Sequence, residues 1–174
     1  MKSSDTKGFT LIELIVVTVI IAIFASISLS TINRFTNEKQ LQNETKKMMI
    51  VLELAKSKTN SGDITLCGTD PGIVPEVQDF TFEVEPSKNS YKIVPNCIVG
   101  DPTPIFYNVG SGIEIEQKSI TFSQIYGKVN CSCFTVTSNL LSKCRYVKVS
   151  ENTVIDEGAC TDANCSTCTN CTCP

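Results

Sequence analysis

Residues 9–29 read FTLIELIVVTVIIAIFASISL, an apolar run of 21 residues in which Glu13 is the single charged side chain. A helix of that length rises about 30 Å, the thickness of the hydrocarbon core of a bilayer. Lys2 and Lys7 precede the run and Arg34 follows it, and this slight excess of positive charge before the run favours a cytoplasmic N-terminus. The run therefore predicts a transmembrane helix, with the rest of the chain outside the cytoplasm.

Three other interpretations compete with this one: a buried core helix, a secretory signal peptide and an ordinary signal anchor. A core helix is disfavoured because the run is apolar on all sides and has polar flanks. A signal peptide needs small residues at a cleavage site after the run, and Ala25, Ser26 and Ser28 form a poor one. Glu13 weighs against both secretory interpretations, since a carboxylate inside the bilayer costs about 2.5 to 3.5 kcal/mol and so predicts a partner.

The segment Lys7-Gly8-Phe9-Thr10-Leu11-Ile12-Glu13 resembles the processing site of type IV pilins and pseudopilins. The resemblance implies that residues 1–8 are a leader, that prepilin peptidase cleaves between Gly8 and Phe9, and that the amino group of Phe9 is methylated. It also makes Glu13 the fifth residue of the mature chain, the position at which the family carries a glutamate. There a neighbouring subunit's N-terminal ammonium group would neutralise the carboxylate and set the register of filament assembly.

The polar stretch after the run predicts that the helix continues, since residues 37–58 contain no Gly or Pro. Leu41, Met48, Leu52 and Ala55 fall on one stripe of such a helix, which is typical of an amphipathic element. The stripe could be a short coiled-coil seam, but we expect it to pack on the protein's own sheet, as pilins do. The turn-forming residues 59–63 end the helix. The expected segments are a leader (1–8), a transmembrane and assembly helix (9–30), its amphipathic continuation (31–60), a β-rich ectodomain (61–158) and a Cys-rich tail (159–174).

Alternation of apolar and polar residues predicts an antiparallel sheet in the ectodomain, so the expected fold class is α+β. Phe80, Phe82 and Val84 alternate with polar residues and lead through the turn PSKNS into a second strand at residues 91–94. Residues 67–78 show no period and are expected to form a loop pinned by Cys67. Further strands are expected at residues 105–109, 113–115, 120–122, 134–137 and 145–149.

Residues 113–158 resemble the end of the domain found in GspH/FimT-like minor pseudopilins. The segments that carry this resemblance are ITFSQIYGKV, CFTVTS, CRYVKVS and VIDEG. The family pattern is a Phe-bearing strand leading to a Gly, then a hairpin and a final short strand. The chain departs from that pattern at Glu151-Asn152-Thr153, where relatives commonly have a turn Gly.

Ten cysteines follow the apolar run, five in the body and five in the tail. The body has Cys67, Cys97, Cys131, Cys133 and Cys144, and the tail has Cys160, Cys165, Cys168, Cys171 and Cys173. The tail has too few apolar residues to fold by burial, so it needs cross-links or a metal. Because it is expected outside the cytoplasm, we favour disulfides over zinc or an iron–sulfur cluster. Complete pairing of two odd sets requires at least one bridge from tail to body, and the sequence leaves the individual pairs open.

The composition argues against an enzyme, because the chain has no His and its formal net charge is only −3. We expect no catalytic residue, no cofactor and no metal. The leading hypothesis is a structural subunit, a minor pilin or pseudopilin of a pilus, a type II secretion filament or a DNA-uptake filament. Its expected partners are the cytoplasmic membrane, other pilin or pseudopilin subunits and prepilin peptidase. It would be a single-pass membrane protein with a periplasmic or extracellular ectodomain that later enters a filament.

Two alternatives remain. The first is a tip or minor pilin that binds DNA or a surface ligand, for which the one local cluster is Lys143, Arg145 and Lys148. Strand alternation puts Lys143 and Arg145 on one face and Lys148 on the other, which is more typical of a solvated strand. The second is a membrane-anchored redox protein that uses the Cys-rich tail.

Overall fold

The computed structural model describes residues 8–68, 74–123 and 129–160 together with Cys168, Cys171 and Cys173, except for the side chains of residues 26–31. The chain divides into two compact units, residues 1–36 and residues 37–174. The elements in chain order are one helix, α1 (Leu11–Ser61), and ten strands: β1 (Cys67–Gly68), β2 (Glu76–Val84), β3 (Ser90–Val99), β4 (Asp101–Pro102), β5 (Ile105–Asn108), β6 (Ile113–Ile115), β7 (Ser119–Ser123), β8 (Ser132–Ser138), β9 (Lys143–Val149) and β10 (Ile155–Ala159).

The first unit contributes the N-terminal part of α1. Its residues lack Gly and Pro after Gly8, so nothing in the sequence interrupts the helical ladder. In the residues described for this structure, no helical stretch is both long enough and apolar enough to cross a membrane.

In the second unit, α1 packs one face against the sheets. The predicted stripe is confirmed, because Leu41, Met48, Leu52 and Ala55 are all buried. Thr45 lies on the same stripe and is also buried. Its hydroxyl donates to the carbonyl of Leu41 at 2.8 Å, so a polar side chain is accommodated in the core without losing its hydrogen bond.

The end of α1 follows from the turn residues after Lys58. Gly62 adopts a left-handed φ of 60°, and its amide donates to the carbonyl of Thr59 at 3.2 Å. The amide of Asp63 reaches the carbonyl of Lys58 at 3.1 Å. These two bonds form a Schellman motif, in which Gly is favoured because it has no Cβ to oppose a positive φ. The predicted helix stop at residues 59–63 is confirmed.

Two four-stranded antiparallel sheets form the β-rich unit, with strand orders β5-β3-β2-β7 and β10-β9-β8-β6. The turn after Val84 joins β2 and β3 as a hairpin, as its sequence predicts. The buried face of the first sheet carries Phe80, Phe82, Val84, Tyr91, Ile93, Ile120 and Phe122, and that of the second carries Ile113, Ile115, Phe134, Val136, Val147 and Val149. The helix, the antiparallel sheets and the bridged tail confirm the expected α+β class.

Aromatic side chains join the two sheets in the core. The rings of Phe82 in the first sheet and Phe134 in the second meet edge to face at 5.3 Å. Phe82 also contacts Tyr91 at 5.3 Å, and Tyr91 stacks on Tyr107 at 5.5 Å. Such pairs add about 0.5 to 1.5 kcal/mol to the energy of burial, so the sheets are held as one hydrophobic core.

The expectation of a loop over residues 67–78 is wrong at both ends of that segment. β1 pairs with β4 in a two-stranded sheet, with Cys67 opposite Pro102. β2 begins at Glu76, four residues before the first strong alternation at Phe80. Register shifts between Glu76, Val77 and Asp79 mark a β-bulge. Because a bulge breaks the two-residue period, the pattern concealed the start of this strand.

Candidate assembly site and bridged tail

The predicted processing residues lie just before the helix. Gly8, Phe9 and Thr10 precede the first turn of α1, and the side chain of Phe9 is 83% exposed. A Cβ at Gly8 would meet no atom within 4 Å. The bond between Gly8 and Phe9 therefore lies in uncovered backbone outside the helix.

Glu13 is held by Thr10, a residue whose role the sequence pattern had left unassigned. The carboxylate of Glu13 accepts from the amide and from the hydroxyl of Thr10, each at 3.3 Å. The amide of Glu13 donates to the hydroxyl of Thr10 at 3.4 Å. This reciprocal arrangement is a capping box, whose Thr-x-x-Glu spacing was visible in the sequence. Glu13 thus stabilises the start of the helix in the single chain.

The first unit presents an almost continuous apolar surface. Twelve apolar side chains between residues 9 and 24 are 47% to 83% exposed: Phe9, Leu11, Ile12, Leu14, Ile15, Val16, Val17, Val19, Ile20, Ile21, Ile23 and Phe24. Burying one such side chain contributes about 1.5 to 3 kcal/mol. Burying all twelve would contribute more free energy than the net stability of a typical domain, which is about 5 to 15 kcal/mol. A surface of this kind indicates an apolar environment or a packing partner.

Disulfides tie the tail to the β-rich unit. Cys131 pairs with Cys173 and Cys133 with Cys171, with Cα atoms 5.6 and 5.7 Å apart, which is within the usual range for a cystine. These two bridges are links of the kind that the odd number of cysteines in each part predicts. A third bridge, from Cys160 to Cys168, lies within the tail.

The remaining cysteines also bear on the fold. Cys67 pairs with Cys97, so β1 is fastened to β3. Cys144 is disulfide-bonded as well, whereas Cys165 lies outside the described residues. Cys133 and Cys144 point away from the core face of β8 and β9, yet they are only 8% and 5% exposed. The Cys133–Cys171 bridge and the disulfide at Cys144 therefore lie on the outer face of the second sheet. Among the described residues, no group of three or more His, Cys, Asp or Glu side chains is placed to hold a metal.

The basic cluster does not form one free surface. Arg145 is opposite Val136 in the β8–β9 ladder, so it lies on the same side as the core residues of that strand. On that side Lys143 forms an ion pair with Glu38 of α1 at 2.9 Å, whereas Lys148 lies opposite Cys133, on the other face. The division between two faces is as predicted. The expectation of a solvated face holds for Lys143, which stays exposed, but it is wrong for Arg145, which is half-buried with its Nε shielded from solvent.

A charged cluster follows α1 at Asp63. Its carboxylate accepts from Nζ of Lys58 at 2.5 Å, and from the hydroxyl and amide of Thr65 at 2.7 and 2.9 Å. The hydrogen bond from Lys58, followed by those from Thr65, lowers the pKa of Asp63 from 3.8 to about 2. This cluster stabilises the link between α1 and β1.

Comparisons with known proteins found one match to the N-terminal sequence and one similarity to the fold. Residues 3–29 match the family described as the prokaryotic N-terminal methylation motif. No curated protein matches the chain in sequence. Among solved structures, the chain is similar to the minor pseudopilin EpsH from the type 2 secretion system of Vibrio cholerae, with a TM-score of 0.50 and 9% identity, over 71% of this chain and 99% of that one.

At this level of identity the likeness to EpsH concerns the fold, and the motif concerns the N-terminus. The two findings therefore cover different parts of the sequence. The chain therefore combines the N-terminal methylation motif of type IV pilins and pseudopilins with a β-rich domain of the minor-pseudopilin fold.

Proposed function

We propose that this chain is a minor pilin or pseudopilin: a structural subunit that prepilin peptidase cleaves between Gly8 and Phe9, that is methylated on Phe9, and that other subunits take up into a pilus, a type II secretion filament or a DNA-uptake filament. The observation that carries the proposal is the exposed apolar surface of residues 9–24, directly after the matched motif. A surface of that size needs an apolar partner both before and after the subunit enters a filament. The membrane would supply it before assembly, and the helices of neighbouring subunits would supply it afterwards.

In the proposed filament, Glu13 would set the axial position of each incoming subunit. In the single chain its carboxylate is bonded to Thr10, which lessens but does not remove the cost of placing a charge in hydrocarbon. A neighbouring subunit's N-terminal ammonium group could neutralise the charge in the filament. Only one axial position of the incoming subunit would bring the two groups together, so the pair would select that position.

The β-rich unit would face the outside of the cell membrane, and its cystines support this location. Four bridges among the described cysteines are typical of an oxidising compartment. We expect no catalytic role for the chain. The alternative of DNA binding through the basic cluster receives no support from the geometry, since Lys143 is ion-paired with Glu38 and Arg145 is half-buried.

Intact-mass analysis of the membrane-extracted protein tests the processing step. We expect a chain that begins at methylated Phe9. A chain that still begins at Met1, or that begins within residues 26–30, would exclude processing as a pilin.

A pair of substitutions at Glu13 separates its two roles. Gln at this position can still serve as the third residue of a capping box, whereas Ala cannot. Both Glu13→Gln and Glu13→Ala remove the charge, so both should insert into the membrane and both should lower the ratio of filament-bound to membrane-bound subunit. If Glu13→Gln assembles as the natural chain does, the carboxylate acts through the helix cap and the proposed charge pairing is wrong.

A further inference from the structure

The edge of the first sheet leaves backbone groups directed outward. β7 pairs with β2, and among the described strands it has no second neighbour. The amide of Val84 donates to the carbonyl of Lys118 at 3.0 Å, just before β7. Hydrogen-bonded and non-hydrogen-bonded pairs alternate along an antiparallel ladder. The second and fourth residues of β7 therefore bond to β2, and the N–H and C=O groups of Ser119, Thr121 and Ser123 point away from it.

At the start of β8 one further residue directs its backbone outward. The amide of Glu116, just after β6, donates to the carbonyl of Thr135 at 2.9 Å, so Thr135 directs its backbone toward β6. Two residues earlier, Cys133 directs its backbone to the same side, but the β6 ladder does not extend that far. Instead, Nζ of Lys118 donates to the carbonyl of Cys133 at 2.9 Å. The side chain of Lys118 thus spans the seam between β7 and β8.

A cavity lies in this seam. Its volume is about 260 Å³, and it is lined by Ser119, Ile120 and Thr121 of β7 and by Asn130 and Ser132 at the start of β8. The described part of the lining offers hydroxyl and amide groups. The hydroxyl of Thr121 already bonds to that of Thr81 in β2 at 2.9 Å, and this bond holds the Thr121 side chain in position at the cavity. The ammonium group of Lys118, which crosses this seam, is already paired with Glu116 at 2.9 Å, so the cavity favours an uncharged polar group over a charged one.

The sequence of β7, Ser-Ile-Thr-Phe-Ser, lacks the features that protect edge strands from pairing. Such strands usually carry a Lys, a Pro, an inward-pointing charge or a bulge. β7 has none of these, and its ladder with β2 runs without a register shift. The outward donors and acceptors of β7, which recur at the β repeat, are complementary to the backbone of an extended peptide. A strand that enters such an edge gains affinity from its backbone and selectivity from alternate side chains.

On the basis of the function proposed above, we propose that the seam between β7 and β8 binds an extended, uncharged polypeptide segment of another filament subunit as an additional β-strand. The segment bonds to the outward backbone groups of Ser119, Thr121 and Ser123. Its alternate side chains, small and polar, contact Asn130 and Ser132. Assembly then has two contacts: the apolar helix, which any subunit could use, and this groove, which selects the neighbour.

Hydrogen exchange on the full-length natural chain tests the groove whichever subunit supplies the partner segment. Exchange of single amides is compared between detergent-solubilised subunits and filaments that contain the chain. The amides of Ser119, Thr121 and Ser123 should exchange at least about tenfold more slowly in filaments, because they gain a hydrogen bond. The amides of Ile120 and Phe122 serve as internal controls, since they are bonded to β2 in both states. Unchanged exchange at the three outward amides, in filaments that contain the chain, overturns the proposal.

A proline substitution supplies the second arm. Thr121→Pro removes the outward N–H without removing a bond to β2, and Thr121→Val is the matched control that keeps the N–H. Thr121→Pro should leave membrane insertion and thermal unfolding close to those of Thr121→Val but lower filament incorporation at least about tenfold. Equal incorporation of the two variants counts against the groove. Absence of the natural chain from filaments contradicts the proposed function itself, and a filament subunit is then excluded as the occupant.

Discussion

The two cystines that join the tail to β8 close almost the same loop, and we predict that their contributions to stability are therefore not additive. Cys131–Cys173 spans 42 residues and Cys133–Cys171 spans 38. The bridged residues are two positions apart in each segment of the chain, so either cystine alone holds the ends of the other close together. The perturbation is replacement of each pair by Ala, singly as Cys131→Ala with Cys173→Ala or Cys133→Ala with Cys171→Ala, and then together.

The magnitude follows from loop-closure entropy. While one bridge is intact, the other closes a further loop of only about five residues, which the chain-entropy relation values at about 2 kcal/mol. When both are removed, the long loop opens as well. The Cys160–Cys168 bridge and the disulfide at Cys144 shorten the path from Cys133 to Cys171 to about 20 to 30 residues, and closing such a loop contributes about 3 to 3.5 kcal/mol. The quadruple variant should therefore lose about 5 to 6 kcal/mol, against about 4 kcal/mol for the sum of the two single losses.

Guanidinium unfolding of the oxidised full-length chain in detergent measures these losses. The chain has four Tyr and no Trp, so tyrosine fluorescence is the signal, with far-UV circular dichroism as a second probe. A thiol assay should show that the remaining cysteines are still paired. If the quadruple loss equals the sum of the single losses within about 0.5 kcal/mol, the two cystines constrain independent parts of the unfolded chain, and the reasoning is refuted.

Two further predictions concern the ends of the β-rich unit. Asp63→Asn should lower stability by about 1 kcal/mol at pH 7, a value reduced for partial exposure. The folded pKa of Asp63 is about 2, below its ordinary 3.8, so this stabilisation is complete above pH 4 and is lost as the pH falls toward 2. Unfolding of both proteins across that range should show their difference vanish, and a constant difference would contradict the assignment to ionised Asp63. Thr153 has a φ of 58°, which costs a β-branched residue about 1 to 2 kcal/mol. Thr153→Asn should therefore raise the melting temperature by about 2 to 4 °C while Thr153→Ala does not, and equal midpoints for the two variants would show that the backbone is not strained there.

Local patterns in the sequence were sufficient wherever one periodicity extended over a whole element. The stripe from Leu41 to Ala55 repeats with the helical period, and burial of that stripe follows from it. The β2–β3 hairpin follows from alternating apolar residues on both sides of the PSKNS turn. The Thr10–Glu13 cap could also have been predicted, since its spacing is a general helix-start signature. In each case the interacting residues are close together in the chain.

Prediction failed where the pattern was broken or the partner was distant. The bulge near Val77 interrupts the strand period, so β2 is longer than the alternation indicates. The sequence likewise allowed Arg145 to face solvent beside Lys143, because nothing local places α1 near that side of β9. The environment of Lys143 depends on Glu38, more than a hundred residues earlier in the chain.

The sequence by itself determined the apolar N-terminal run with Glu13, the processing motif, the class of the fold and the need for a bridge between tail and body. Those features depend on composition, on short spacings along the chain and on the odd number of cysteines in both the body and the tail. Only the tertiary structure decided that Cys173 joins Cys131 and Cys171 joins Cys133, that Lys143 reaches Glu38 of α1, and that β7 and the start of β8 line one cavity. Each of these depends on which elements become neighbours in space. That choice is made by burial of the whole core at once, and no local segment of the sequence contains it.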